Sequence, residues 1–125
     1  MQELLDTIPM PSAEQMAARR SSARHYTLVL LRAGPASRAD EARNERLQLE
    51  HLQYLTKLQA LGKLILNGPV LVEHEVLGIS IYAVELEEAR AWAEADPKVQ
   101  AGYLVVEAIP WIGVPSEDRS GAQAA

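Results

Sequence analysis

The order of strand-like and helix-like segments constrains the fold more than any other feature of this sequence. Residues typical of β-strands are concentrated in four stretches, at 25–32, 63–66, 76–84 and 102–109. Helical periodicity lies between the first two stretches, over 37–61, and between the last two, over 86–95. The order β-α-β-β-α-β is typical of a ferredoxin-like split βαβ fold. We therefore predict an α+β domain in which both helices lie on one face of an antiparallel sheet.

The predicted strands are apolar on both faces, although two helices can cover only one face. The alternating residues of the first strand are Tyr26, Leu28 and Leu30 on one side and Thr27, Val29 and Leu31 on the other. In the fourth strand, Val105 and Leu104 are the residues we expect to point outward. A bare apolar face of this width would exceed the roughly few hundred square ångströms that monomers usually expose. The pattern therefore predicts a homodimer that packs sheet against sheet.

The helix over residues 46–62 contains the most informative titratable residue, His51. Its apolar residues recur at steps of three and four and are Leu47, Tyr54, Leu55, Leu58 and Leu61. His51 lies four residues after Leu47 and four before Leu55, so it points into this apolar stripe. A buried imidazole needs a hydrogen-bond partner, which can be a backbone carbonyl or an acidic side chain. Gly62 is placed to end the helix in a left-handed conformation.

Asp96 is the first candidate partner for His51. It ends the second long helix, where an acidic residue faces the negative end of the helix dipole. A structural explanation is also available, since Asp96 can cap a short following turn that has Pro97 at its first position. The two interpretations are compatible, because a cap uses one carboxylate oxygen and leaves the other free. Side-by-side antiparallel helices would bring Asp96 close to His51.

Other kinds of site have little support in the sequence. There is no cysteine, and no two of the three histidines have the spacing of a metal site on one helix. Glycine-rich nucleotide-binding loops and a serine nucleophile elbow are also missing. Ser80 and Tyr82 lie on the third predicted strand and can reach a pocket beside the sheet.

Length and charge limit the domain organisation and the partners. The 125 residues suffice for one domain with a core, and the net charge of −5 argues against a nucleic-acid partner. No apolar run approaches the roughly 18 residues of a membrane span, and the N-terminus does not resemble a signal peptide, so we expect a cytoplasmic protein. We predict an N-terminal arm over residues 1–24, a domain over 25–112 and a disordered tail over 113–125. The arm is either solvated or packs on a partner subunit.

Several short motifs, in their order and spacing, resemble the YCII-related (YciI-like) family over about residues 25–112. They are His51-Leu52 with Leu55 and Leu58, Gly62-Lys63-Leu64, Gly68-Pro69, Gly78, Glu88-Ala89, Ala95-Asp96-Pro97 and Gly102. The resemblance implies a dimeric ferredoxin-like α+β barrel. It also implies that His51 and Asp96 are the active-site dyad of a pocket beside the sheet. The arm and the longer first helix depart from the family pattern.

The resemblance also suggests a function. Relatives take part in the breakdown of aromatic compounds, including a dehydrochlorinase of chlorinated hydroxyquinols, and related barrels isomerise muconolactones. The hypothesis is therefore an enzyme in which His51 is the general acid/base and Asp96 orients it. Ser80, Tyr82, Gly68 and Pro69 would bind a small cyclic or aromatic substrate, and proton transfer would need no cofactor and no metal. The alternative is a non-catalytic small-molecule-binding or accessory protein that uses the same pocket.

Overall fold

A computed structural model describes residues 1–116, and the chain falls into two compact units. The larger unit, residues 25–111, holds most of the sheet, its helices and the candidate site. The smaller unit holds residues 1–24 and the segment that begins at Ile112. The tail predicted over 113–125 lies outside the described residues from residue 117 onward, and Gly113 itself ends the last strand.

The smaller unit contains two short helices, α1 (Gln2–Asp6) and α2 (Ala13–Ser21). Ser12 Oγ accepts a hydrogen bond from the backbone N–H of Gln15 at 3.1 Å, and Gln15 Oε1 accepts one from the Ser12 N–H at 2.8 Å. These reciprocal bonds form a capping box at the start of α2, as the spacing of a serine and a glutamine three residues apart allows. Neither helix buries a residue.

The sheet of the larger unit has four strands in the order β2-β3-β1-β4. Their bounds are β1 Arg24–Ala33, β2 Leu64–Pro69, β3 Val76–Tyr82 and β4 Leu104–Gly113. Strand β3 runs antiparallel to both β1 and β2, which confirms the predicted α+β class. Strand β2 continues through Asn67 and Gly68 to Pro69, where the sequence suggested a stop. Because β2 is an edge strand, it tolerates the proline.

Three helices complete the larger unit: α3 (Glu41–Ala60), α4 (Leu86–Glu94) and α5 (Pro97–Gln100). Helix α3 starts later than residue 37, where the sequence analysis begins it, because Asp40 is its N-cap, with Oδ1 accepting from the Arg43 N–H at 3.1 Å. Gly62 follows the end of α3 at φ +75°, as predicted. The Lys63 N–H donates to the Leu58 carbonyl at 3.0 Å, which closes the Schellman motif.

The helices cover one face of the sheet, and the other face is largely apolar and exposed, with one ion pair between Arg32 and Glu107. The core on the covered face contains Val29, Leu31, Leu55, Leu58, Leu64, Tyr82, Ala89, Ala93 and Leu104. We call the opposite side the uncovered face; it carries Leu28, Leu30, Leu66, Ile79, Ile81 and Val105. The expectation that Leu104 points outward is wrong: it is 6% exposed and packs in the core, whereas its neighbour Val105 is 45% exposed. Successive residues of a strand point to opposite faces, so only one of the two can be outward.

Candidate functional site

His51 and Asp96 are in direct contact on the covered side of the sheet. The His51 side chain projects from α3, and only 12% of its surface is exposed. Its Nδ1 atom lies 2.5 Å from Oδ2 of Asp96. The helical stripe in the sequence explains the direction of the imidazole, since Leu47 and Leu55, one turn away on either side, are buried.

Asp96 is held in place by the start of α5. Its Oδ1 atom accepts a hydrogen bond from the Lys98 N–H at 2.9 Å, so Asp96 is the N-cap of a helix that has Pro97 at its first position. The other oxygen, Oδ2, meets His51. Both interpretations of Asp96 from the sequence therefore describe the same carboxylate.

The contact determines which ring nitrogen of His51 is available for chemistry. A carboxylate oxygen accepts hydrogen bonds, so the proton of a neutral His51 ring belongs on Nδ1, next to Asp96. The lone pair is then on Nε2, which is the atom that can take a proton from a ligand. A buried carboxylate that orients an imidazole in this way is a common arrangement in general acid/base sites.

Two tyrosines lie close enough to Asp96 to sense its charge. Burial raises the pKa of Tyr54, and the negative charge of Asp96 raises it further. The pKa of Tyr82 is raised mainly by burial, with smaller contributions from Tyr54 and Asp96. Both phenols are therefore neutral at physiological pH. The hydroxyl of Tyr54 donates to the Trp92 carbonyl at 2.6 Å, which joins α3 to α4 beside the site.

His51 lines a cavity of about 310 Å³ between α3 and the sheet. Ser80, Gly68 and Pro69, which the sequence analysis assigns to ligand binding, also line it. Tyr82 does not; it is almost completely buried in the core. The other lining residues are Leu31, Arg38, Gln48, Leu52, Leu55, Asn67, Leu77, Gly78, Ile79, Lys98 and Leu104. The volume is at the lower end of the range that small-molecule sites occupy, roughly 300–1,000 Å³.

Comparison with known proteins identifies the family. The sequence model of the YCII-related domain matches residues 26–112, which is more than half of the chain. The chain belongs to the YCII-related family. No curated protein matches it.

Two solved structures are similar to this YCII-related chain. One is 5-chloro-2-hydroxyhydroquinone dehydrochlorinase (TftG) from Burkholderia phenoliruptrix in complex with 2,5-dihydroxybenzoquinone, with a TM-score of 0.52 and 21% identity. The match covers 69% of this chain and 92% of TftG. The other is a protein of unknown function from Rhodopseudomonas palustris, with a TM-score of 0.33, 18% identity and coverage of 87% and 97% of the two chains. The similarity to TftG supports the fold.

Sequence reasoning missed two cationic residues of the His51 cavity, Arg38 and Lys98. Arg38 donates a hydrogen bond to the Tyr103 carbonyl, and its guanidinium carbon lies 5.2 Å from the centre of the Tyr103 ring. Lys98 Nζ donates to Gln48 Oε1. The position of Lys98, two residues after the capping Asp96, was a usable signal. Arg38 offered none, because it lies in the loop before α3.

A close backbone approach positions the loop that carries Arg38. A Cβ atom at Gly34 would lie 2.2 Å from the Gly102 carbonyl oxygen, so this position requires glycine. The Gly34 N–H donates to the Tyr103 carbonyl at 2.9 Å, and the Ala36 N–H donates to the Gly102 carbonyl at 3.0 Å. The loop after β1 is thereby tied to the turn before β4.

Within residues 1–116, no group of three or more His, Cys, Asp or Glu side chains is arranged to hold a metal ion. In the same part of the chain, no helix combines the length and apolarity needed to cross a bilayer.

Proposed function

We propose that this protein is an enzyme that performs general acid/base chemistry on a small cyclic or aromatic molecule bound in the His51 cavity. The contact between His51 Nδ1 and Asp96 Oδ2, at 2.5 Å in the wall of a ligand-sized cavity, is the observation that carries the proposal. In this proposal His51 is the catalytic residue, and Asp96 is a positioning residue.

The proposed step is a proton transfer through His51 Nε2. The Nε2 lone pair takes a proton from an O–H or C–H group of the ligand, and the electron pair of that bond stays on the ligand. In an isomerisation the proton returns to another atom of the ligand. In an elimination the electron pair expels an anion such as chloride, and His51 then releases its proton to water. Asp96 stabilises the imidazolium that forms between the two steps, so the dyad itself is unchanged after a cycle.

The remaining site residues are assigned to ligand binding. Ser80 supplies a buried hydroxyl in the cavity wall, and the Gly68–Pro69 end of β2 supplies a wall without bulky side chains. Tyr82 belongs to the core and is not assigned the ligand contact expected from the sequence. Proton transfer by this set of residues uses no cofactor.

The compounds named for TftG provide a first test of the proposal. We would measure chloride release from 5-chloro-2-hydroxyhydroquinone and binding of 2,5-dihydroxybenzoquinone with wild type, His51→Gln and Asp96→Asn. We expect His51→Gln to lower turnover by about 10²–10⁴-fold, the usual contribution of a general acid/base. The matched control is His25→Gln, because His25 is exposed and does not line the cavity.

The same measurements separate the enzyme from the non-catalytic binder. Turnover that disappears in His51→Gln, while binding changes only a few-fold, supports the proposal. Binding without turnover in wild type, across chlorinated hydroxyquinols and related lactones, would favour the binding or accessory protein. Equal turnover in wild type and His51→Gln would contradict the role given to His51.

We also infer that the protein is a homodimer joined through the uncovered face. This face carries apolar residues on all four strands, together with the ion pair between Arg32 and Glu107. Leu77 and Ile79, which point away from the helices, also line the His51 cavity. A second copy would remove this surface from water and help to close the cavity. Sedimentation velocity should show a dimer at micromolar concentration, and a stable monomer there would overturn the inference.

A further inference from the structure

Two cationic side chains in the His51 cavity have no role in the proton-transfer step. Arg38 reaches the cavity from the loop before α3, and Lys98 reaches it from α5. Among the described residues that line this cavity, none carries a carboxylate. The cavity therefore has a positively charged rim and an otherwise apolar or neutral lining.

Three other cations of the larger unit have acidic partners, whereas Arg38 and Lys98 have neutral partners. Within residues 1–116, Arg43, Arg46 and Lys57 form no ion pair either, but they do not line the His51 cavity. The paired cations are Arg32 with Glu107 at 2.5 Å, Lys63 with Glu88 at 2.9 Å and Arg90 with Glu87 at 2.8 Å. Arg38 and Lys98 instead donate to a backbone carbonyl and to a glutamine oxygen. Within residues 1–116, no carboxylate oxygen lies within 4.0 Å of either cation. Their charges remain available to a ligand.

The two positive charges are close enough to repel each other. Burial lowers the pKa of Lys98, and the charge of Arg38 lowers it further, while Asp96 acts in the opposite direction. Holding two like charges together in a partly desolvated place is unfavourable unless a negative charge joins them. An anionic ligand between Arg38 and Lys98 would remove this cost and gain charge-assisted hydrogen bonds.

A buried hydroxyl beside the cations also has no partner. Arg38 and Lys98 line a second cavity of about 560 Å³, which shares Gln48 and Leu52 with the His51 cavity and is also lined by Tyr103. The exposed side chain of Glu45 lines this second cavity too, but forms no ion pair with either cation. The Tyr103 hydroxyl is buried and has no hydrogen-bond partner among the described residues. Buried hydroxyls are normally paired, so this donor fits a ligand oxygen as its acceptor.

We propose that Arg38 and Lys98 form an anion-binding subsite, joined by the Tyr103 hydroxyl, which selects substrates that carry a carboxylate or phenolate group. The inference rests on the proposed function, because it names the substrate class of the same site. The subsite would hold the anionic oxygen at the boundary of the two cavities and leave the ring of the ligand beside His51. Arg38 and Lys98 would then determine specificity without taking part in proton transfer.

The test compares two ligands of the same shape and different charge. Binding of benzoate and of benzamide is measured by calorimetry or by ligand-observed NMR with the full-length protein. The variants are Lys98→Met, Arg38→Gln and Tyr103→Phe, each checked for folding by its melting curve. The matched control is Lys57→Met, since Lys57 is an exposed cation on α3 that does not line the His51 cavity.

We expect wild type to bind benzoate roughly tenfold or more tightly than benzamide, as hydrogen bonds to charged groups would allow. Lys98→Met and Arg38→Gln should each remove most of this preference and leave benzamide unchanged, and Lys57→Met should retain it. Tyr103→Phe should weaken benzoate binding a few-fold without lowering the melting temperature. If Arg38→Gln does not fold, the binding preference of Lys98→Met alone decides whether the subsite exists.

Several results would overturn the subsite. They are equal affinity for the two ligands, failure of both to bind in the millimolar range, and an unchanged preference in Lys98→Met. The proposed function fails separately, because it concerns turnover. A preference for the anion without any turnover would support the subsite and contradict the proposed function. Turnover of a neutral substrate that Lys98→Met does not alter would support the role of the dyad and contradict the subsite.

Discussion

The two faces of the sheet have similar apolar residues and very different surroundings. On the covered face, Val29 and Tyr82 are each 1% exposed, whereas on the uncovered face Ile79 is 40% exposed and Val105 is 45% exposed. In strand β1, Leu28 and Leu30 point to the uncovered face and Val29 points to the covered face, so one strand contributes to both. Hydrophobicity along a strand therefore indicates that both faces need to be covered, but it does not show what covers each.

The polar groups distinguish the faces more clearly than the apolar ones. Among residues 1–116, the buried polar residues are Thr27, Ser80 and Asp96, and all lie on the covered side. Thr27 Oγ1 donates to the Val84 carbonyl at 2.9 Å, which is a structural bond. Ser80 and Asp96 are associated with the cavity and the dyad. We conclude that the covered side carries the proposed chemistry and that the uncovered side is suited to assembly.

The largest expected effect on stability comes from truncating a buried side chain of α3, which leaves a cavity in the core. Leu58 is 1% exposed, so Leu58→Ala should lower the free energy of unfolding by about 2–5 kcal/mol, the usual range for a buried leucine. Leu49 lies on the same helix and is 57% exposed, and Leu49→Ala should change it by less than about 0.5 kcal/mol. Urea denaturation measures both variants. Similar effects of the two changes would contradict the assigned core.

A smaller effect is expected from removing the cap of α5. Asp96→Ala should lower the free energy of unfolding by about 1–2 kcal/mol, because the Lys98 N–H loses its acceptor and His51 loses its partner. Asp96→Asn keeps an oxygen that can accept from the Lys98 N–H, so it should lower the free energy of unfolding less than Asp96→Ala does. Thermal unfolding of the two variants checks the order. If Asn is as destabilising as Ala, the cap is not the main structural contribution of Asp96.

Removing residues 1–22 should have a smaller effect on the larger unit. The helices α1 and α2 bury no residues, so the deletion should lower stability by less than about 1 kcal/mol, or a few degrees in melting temperature. Calorimetry of the truncated and full-length chains tests this expectation. Loss of folding in the truncated chain would mean that the arm is required for the fold.

The smallest effect on the fold is expected on the uncovered face, together with a clear effect on assembly. Val105→Lys should change the unfolding free energy of the subunit by about 0.5 kcal/mol or less, because the new side chain points to solvent. It should also convert the proposed dimer to monomers or aggregates, since lysine placed in an apolar interface is costly. Gln59→Lys, at an exposed position of α3, is the control and should leave assembly unchanged.

Much of the fold could be predicted from the sequence, because local signals and the global arrangement agree. The order of the four strands and the two long helices along the chain, the capping box at Ser12 and the left-handed Gly62 each follow from residue type and spacing. The start of α3 was misplaced because Ser37 and Asp40 are both good caps, and only the structure shows that Asp40 binds the helix N–H. Leu61 belongs to the predicted apolar stripe and yet is exposed, since the helix ends beside it.

The site could be predicted only where a residue was unusual in its local context. His51 was conspicuous on an apolar stripe, and Asp96 was conspicuous at a helix C-terminus. Arg38 and Tyr103 are ordinary residues in their own segments. They come together only through the close approach of Gly34 to Gly102, a contact between distant parts of the chain. Pairings of this kind depend on tertiary packing and leave no local pattern in the sequence.

The most direct test of the central proposal is the tautomer of His51, measured by ¹⁵N–¹H correlation NMR of the ring with ¹⁵N-histidine labelling. His51→Gln assigns the signal. At a pH where the ring is neutral, we expect the proton on Nδ1, facing Asp96, and the lone pair on Nε2. Asp96→Asn should weaken this preference, because its amide can also offer a donor to Nδ1. A wild-type ring with its proton on Nε2, or one unaffected by Asp96→Asn, would contradict the dyad.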